Sequence, residues 1–289
     1  MNEYILEIEG LHKKRNGFEL KDVSLRIPYG FVMGMIGANG AGKTTIIKLI
    51  LNLLRRDSGS IRLFGRDILE NEVEIKERIG FVLDRPPYYD DISLRANARI
   101  VSMFYRKWNQ HYFDQLLEEF DLSPRKKFGK LSQGQKMKFG LAVALSHDAD
   151  LILMDEPTAG LDPVFRRELL ERLGNLLLDD KKSVLFSTHI TSDLEKIADY
   201  ITFVHDGEVV FSATREEVGE RWCVVKGGRE LLTAETTALF RGHRMSQFGF
   251  EALCDDTQAV RSRFGDDVVI ERASLEDIMF YLNKGVHHA

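Results

Sequence analysis

Cysteine is scarce in this chain of 289 residues: Cys223 and Cys254 are the two present. Their separation excludes a closely spaced cysteine metal cluster, and they read as ordinary reduced thiols, which fits a cytosolic setting. An excess of positive charge is also missing. The formal net charge of -5 argues against a surface dominated by nucleic-acid contacts, so no nucleic-acid partner is expected. Nor is there any apolar run near the roughly 20 residues that a membrane-spanning helix requires. Residues 45–54 are interrupted by a lysine and residues 151–154 run into acids. The start, Met1-Asn2-Glu3-Tyr4, lacks the basic segment and apolar core of a secretory signal. No internal repeat and no low-complexity tract occurs. A chain with 44% hydrophobic and 29% charged residues is a folded protein with room for more than one domain.

The order of patterns then narrows the architecture. Residues 4–8 and 20–27 alternate as half-buried strands do, and residues 31–36 form a nearly continuous apolar run, as expected of a central parallel strand. Helical spacing follows at 44–54, and further strands are expected at 61–64 and 79–83. From about 93 to 146 the texture is helical, with Phe113, Leu116, Leu117 and Phe120 on one face. Strand-like runs return at 151–154, 184–187 and 201–204, separated by helical stretches, which implies a mostly parallel sheet. Beyond about 217 the character changes again. Strands are expected at 222–225 and 267–270, and a short amphipathic helix at 275–282 opens with Ser274 and Asp277 in a capping-box arrangement. The expected layout is a large α/β domain over 1–216, with a helical subdomain inserted at about 93–146, and a small accessory domain over 217–289.

Two segments carry chemistry. Gly37-Ala38-Asn39-Gly40-Ala41-Gly42-Lys43-Thr44 lies between the apolar strand and the helix. Its glycines let successive backbone N–H groups converge on a phosphate, and the start of the helix adds its positive end. Lys43 reaches the β- and γ-phosphates in such a loop, and the Thr44 hydroxyl ligates magnesium. Far downstream, Asp155 and Glu156 end a buried strand. With a phosphate loop present, the aspartate suits magnesium binding and the glutamate suits polarisation of the attacking water.

Between these segments, Leu131-Ser132-Gln133-Gly134-Gln135 resembles the signature of the ATP-binding-cassette (ABC) ATPase family, with Gln133 where the family more often has glycine. Thr158-Ala159-Gly160-Leu161-Asp162 resembles its D-loop, and His189 in Ser187-Thr188-His189 its switch histidine. The resemblance runs from residue 3 to about 215. It implies an α/β fold: a RecA-like P-loop core with a mostly parallel sheet, an antiparallel β subdomain, an inserted α-helical subdomain and a small α+β C-terminal domain. It also implies ATP and Mg2+ as cofactors. Lys43, Glu156 and His189 are then the catalytic residues. Gly37, Asn39, Gly40, Ala41, Gly42, Lys43, Thr44 and Thr45 hold the nucleotide; Ser132 and Gly134 meet the γ-phosphate held by an opposing subunit, and Gln135 and Asp162 are further nucleotide-binding residues, Asp162 helping to couple the two sites. Thr44 and Asp155 ligate the metal.

Two positions depart from the family. Asp84, in Ile79-Gly80-Phe81-Val82-Leu83-Asp84-Arg85-Pro86, stands where the Q-loop glutamine is usual. Its carboxylate is a further candidate metal ligand that brings negative charge to the triphosphate. In Lys14-Arg15-Asn16-Gly17-Phe18, Arg15 replaces the aromatic that stacks on adenine. Arg15 could stack through its guanidinium plane, Phe18 could serve instead, or Arg15 could simply be solvated.

With one set of motifs per chain, the resemblance implies a dimer of nucleotide-binding subunits, closed by ATP and reopened by hydrolysis. Without a membrane span, it implies an ATPase subunit on the inner face of the cell membrane that drives a separate permease. Arg85-Pro86-Pro87-Tyr88-Tyr89-Asp90-Asp91 is the expected docking segment, with the tyrosines as anchors. Strings such as Phe104-Tyr105, Trp108-Asn109 and Ala273-Ser274-Leu275-Glu276-Asp277-Ile278 resemble a bacterial type-2 exporter subfamily that includes exporters of antimicrobial and phenol-soluble-modulin peptides. The alternative is a non-transport ABC ATPase acting on nucleic acid or the ribosome. Such proteins usually carry coiled-coil insertions or fused cassettes, and this chain has neither.

Overall fold

The computed structural model describes residues 3–15, 17–177 and 179–284. Asn16, in the expected base-contacting segment, the first two residues of the polar start and residues 285–289 of the expected accessory domain lie outside these. By packing, the chain divides into two compact units after Val210, earlier than the boundary expected at 216.

In the first unit, β1 (Tyr4–Arg15) and β2 (Phe18–Pro28) pair antiparallel. Strand β3 (Val32–Ile36) is buried along its whole length, and the phosphate loop joins it to α1 (Lys43–Ile50). This helix stops four residues short of the expectation. Asn52 adopts a left-handed φ of 51°, Asn52 N donates to Leu49 O at 3.0 Å and Leu53 N donates to Lys48 O at 2.8 Å. That Schellman closure uses the carbonyls a longer helix would have used. Strands β4 (Ser58–Leu63) and β5 (Arg66–Asp67) complete a four-stranded antiparallel sheet ordered β2-β1-β4-β5.

Helix α2 (Glu72–Lys76) leads to β6 (Ile79–Val82). The insertion follows as α3 (Leu94–Ser102), α4 (Gln110–Glu119) and α5 (Gln133–Leu145). Asn109 caps α4, and Phe113, Leu116 and Leu117 point inward as their spacing requires. Phe113 and Phe128 both pack on Phe139, at centroid separations of 6.2 and 5.7 Å, giving the insertion its own aromatic core.

The chain then alternates: β7 (Leu151–Asp155), α6 (Pro163–Leu176), β8 (Ser183–Thr188), α7 (Thr191–Ile197), β9 (Tyr200–His205) and β10 (Glu208–Thr214). A six-stranded sheet results, ordered β10-β9-β3-β8-β7-β6, with parallel pairing from β9 through β6. The expected RecA-like core, antiparallel β subdomain and helical insertion are all present. Parallel pairing puts the carboxyl ends of β3, β7 and β8 on one edge, and that edge carries the motifs.

The second unit contains α8 (Arg215–Arg221), β11 (Cys223–Gly227), α9 (Ala234–Thr237), β12 (Gly242–Ser246), β13 (Gly249–Cys254), α10 (Thr257–Phe264), β14 (Val269–Arg272) and α11 (Leu275–Lys284). Its antiparallel sheet runs β12-β13-β11-β14 over a core that includes Val225, Phe240, Phe250 and Val260. Cys223 and Cys254 sit opposite one another on β11 and β13 as buried free thiols. The capping box at Ser274 and Asp277 closes in both directions, at 3.0 and 3.1 Å.

Candidate active site

The phosphate loop is built by close approach. Gly42 caps α1 with a φ of 117°, where a Cβ would fall 2.7 Å from Leu20 Cδ2 and 2.9 Å from Phe18 Cζ. At Gly37 a Cβ would lie 2.2 Å from the Val204 carbonyl oxygen. Side chains at either position would push the loop off the sheet edge. The loop therefore presents its backbone to the space in front of it, with no acidic residue in the first turn of α1 to compete for an anion.

Lys43 is folded back and only 5% exposed. Its ammonium donates to Gly37 O at 2.7 Å and Ala38 O at 3.2 Å, and lies 3.3 Å from Glu156 Oε1. The other carboxylate oxygen of Glu156 accepts from His189 N at 3.3 Å and lies 2.7 Å from His189 Nδ1. Glu156 thus bridges the lysine of the loop and the histidine after β8. Its own φ is 52°, a left-handed conformation uncommon for such a residue.

Asp155 is buried at the end of β7. Thr44 Oγ1 lies 3.0 and 2.8 Å from its two oxygens, and the Ser187 hydroxyl donates to Oδ1 at 2.7 Å. A hydroxyl and a carboxylate converging beside a phosphate-binding loop are hard oxygen donors of the kind magnesium selects, so the donor set fits that ion.

Lys43, Thr44, Asp155 and Glu156 border a cavity of about 660 Å³ lined also by Ala38, Asn39, Gly40, Gly42, Thr45, Asp84 and, from the β1–β2 pair, Lys13, Arg15 and Phe18, whereas His189 reaches it only through Glu156. Gly37 contributes a carbonyl to Lys43 rather than a wall, and Ala41 is buried beneath the loop. Sequence reasoning missed Lys13, although it lies two residues before Arg15 on one strand and so shares its face. Its ammonium is held by Asp57 Oδ1 at 2.6 Å.

Besides Gly37 and Ala41, four expected nucleotide contacts do not line this cavity. Ser132 caps α5 in a full capping box: its Oγ accepts from Gln135 N at 3.2 Å, and Gln135 Oε1 accepts from Ser132 N at 3.3 Å and from Lys126 Nζ at 3.0 Å. Gly134 lies beside Leu161, 3.6 Å from a built Cβ to Cδ2. Asp162 caps α6, accepting from Val164 N and Phe165 N at 3.1 and 2.9 Å. One chain therefore gathers most of the expected constellation at its cavity and presents Ser132, Gly134, Gln135 and Asp162 elsewhere.

Comparison with known proteins supplies the decisive observation. The family profile described as ABC transporter matches residues 20–159, and a second profile, for an AAA domain, matches residues 127–192. A bacitracin transport ATP-binding protein of Enterococcus faecalis is 32% identical, the match covering 76% of this chain and 72% of that protein. A lantibiotic transport ATP-binding protein of Streptococcus pyogenes is 34% identical over 71% of this chain and 89% of its own. The chain belongs to the ABC transporter family as an ATP-binding subunit. A solved structure described as the ATP-binding subunit of an ABC transporter superposes with a TM-score of 0.69 at 27% identity, covering 75% of this chain and 92% of that one.

For an ABC ATPase, the segment after β6 is of interest as a contact region, and its two tyrosines differ. Tyr88 turns inward, its ring centroid 5.1 Å from that of Phe128 and 4.9 Å from that of Phe139, and burial pushes its hydroxyl pKa up. Tyr89 remains 64% exposed. Its backbone is clamped by buried Asn97, whose Oδ1 accepts from Tyr89 N at 2.9 Å and whose Nδ2 donates to Tyr89 O at 3.0 Å. Of the two tyrosines expected to be exposed in this segment, Tyr89 is and Tyr88 is not. Among the described residues, no helix is long and apolar enough to cross a membrane.

Proposed function

We propose that this subunit binds and hydrolyses ATP with magnesium, pairs with a second copy of itself, and so drives a separate membrane permease that exports peptides of the antimicrobial class. The convergence of Lys43, Glu156 and His189 beside Thr44 and Asp155 is the observation that carries the catalytic reading. Names of relatives given for bacitracin and lantibiotic transport support the cargo class. On this reading the chain belongs to the bacterial type-2 exporter subfamily and sits peripherally on the cytoplasmic face of the membrane.

In the reaction, Lys43 leaves Glu156 and the loop carbonyls for the β- and γ-phosphates, and the backbone N–H groups of residues 37–42 cradle the phosphate oxygens. Thr44 and Asp155 would hold magnesium, with Asp84 a third candidate at the cavity wall. When bound, magnesium neutralises charge on the phosphate oxygens. Glu156, relieved of Lys43, accepts a proton from the attacking water. His189 keeps the Glu156 carboxylate aligned and faces the γ-phosphate. Arg15 or Phe18 lies against the base. Ser132, Gly134, Gln135 and Asp162 of one copy complete the site of the other, which explains why a single chain leaves them away from its own cavity. Tyr89 and residues around it dock the permease.

The test is isolation of the full chain from host membranes with its integral partner, followed by reconstitution into phospholipid vesicles. ATP turnover is expected to rise when a cationic antimicrobial peptide is supplied. Turnover indifferent to peptides would overturn the cargo, and recovery with ribosomes or DNA in place of an integral protein would overturn the transport role.

A further inference from the structure

Strand β8 brings three apolar residues, Val184, Leu185 and Phe186, into the core and then places a hydroxyl, Ser187, where none of its atoms reaches solvent. A buried hydroxyl needs partners, and those of Ser187 both belong to the acid pair. The strand register sets Ser187 beside Asp155. Its Oγ donates to Asp155 Oδ1 at 2.7 Å and accepts from Glu156 N at 3.2 Å, while Glu156 N also donates to Ser187 O at 3.1 Å. One oxygen atom therefore touches both sides of the peptide link between the two acids. That link is where the chain turns left-handed, with φ of 52° at Glu156. The neighbouring hydroxyl, on Thr188, instead accepts from Ile190 N at 3.0 Å and serves a local turn.

We infer that Ser187 is a positioning residue for hydrolysis: its hydroxyl fixes the carboxylate of Asp155 and the left-handed kink of Glu156 in a single relative orientation. Without it, Asp155 Oδ1 loses its closest donor and keeps Thr44 as its one hydroxyl partner. Glu156 N keeps the Ser187 carbonyl, so the strand pairing survives while the aim of the two side chains relaxes. Because His189 also grips Glu156, the end of β8 orients the catalytic glutamate through its backbone N–H at Ser187 and through its carboxylate at His189. This inference rests on Glu156 being the base and Asp155 the metal-binding acid.

Steady-state turnover and equilibrium binding of a fluorescent ATP analogue without magnesium, both on the purified full chain, test it. Ser187→Ala is expected to lower kcat by about ten- to a hundredfold, the scale of loss that misplaced reacting groups produce. Its KM should stay within about threefold of the parent, since ground-state phosphate contacts are untouched. Analogue binding should remain at full stoichiometry, which a loss of folded protein would not allow. Ser187→Thr, which keeps the hydroxyl on a β-branched residue suited to a strand, should recover most of kcat. Parental turnover in Ser187→Ala would overturn the inference, as would loss of analogue binding in both variants. Glu156→Gln run alongside separates the cases. If it is inactive while Ser187→Ala is normal, only the role of Ser187 falls; if it turns over normally, the base assignment falls and this inference with it.

Discussion

Replacing Glu156 by glutamine should do more than stop hydrolysis; it should tighten nucleotide binding. In this structure the Lys43 ammonium is engaged with Glu156 at 3.3 Å, and the two side chains are 5% and 16% exposed. Before Lys43 can serve a phosphate it must give up that partner. At an effective dielectric constant of about 20, opposite charges at this distance attract by about 5 kcal/mol. Most of that is offset by desolvation, and Lys43 keeps two carbonyl partners, so a net competing contribution of about 1–2 kcal/mol is reasonable. Glu156 also repels the triphosphate, which acts in the same direction. The glutamine variant should therefore bind a non-hydrolysable ATP analogue about five- to thirtyfold more tightly. Its turnover should fall by about a hundred- to ten-thousandfold through loss of the base. Calorimetric titration of both proteins gives the first quantity and phosphate release the second. Unchanged or weaker analogue affinity would refute the idea that Glu156 restrains Lys43, even if turnover were lost.

The remaining predictions concern other parts of the molecule. Gly42→Ala places a methyl group against Leu20 and Phe18 at a φ of 117°, and should cost about 1–3 kcal/mol in denaturant unfolding together with nucleotide binding. Burial holds the His147 pKa below its ordinary value. The unfolded chain therefore takes up this proton first, and the resulting stability is present at neutral pH and lost as the pH falls below about 6.5. His147→Gln should lessen the drop in melting temperature between pH 7.5 and pH 5.5, two values chosen to bracket that titration at about one unit on either side. Tyr88→Ala should destabilise the insertion by about 2–4 kcal/mol, whereas Tyr89→Ala should change stability by under about 0.5 kcal/mol and weaken stimulation by the permease.

How far the sequence spoke for itself depended on whether each feature is local. The phosphate loop is written in consecutive residues, and the apolar run before it and the helical spacing after it name their own conformations. The Ser274–Asp277 cap was equally legible because its partners are three residues apart. Features that join distant segments were not. Ser187 is an ordinary strand residue until pairing sets it against Asp155, and Lys13 acquires meaning only when the fold sets it at the same cavity as the loop. Tyr88 and Tyr89 are chemically identical in the sequence, and only the aromatic core of the insertion distinguishes them. The hairpin of β12 and β13 went unread because β12 has little alternation, its burial falling off along Arg244, Met245 and Ser246.

The way α5 begins has a chemical consequence. Its capping serine has spent lone-pair capacity on Gln135 N, and the Gln135 amide oxygen is occupied by Ser132 N and Lys126. What this tip still offers to a visitor is a hydroxyl proton and backbone amide protons. Such donors suit an oxyanion, so internal bonding readies this tip, before any second molecule arrives, for the phosphate that the proposed dimer would bring to it.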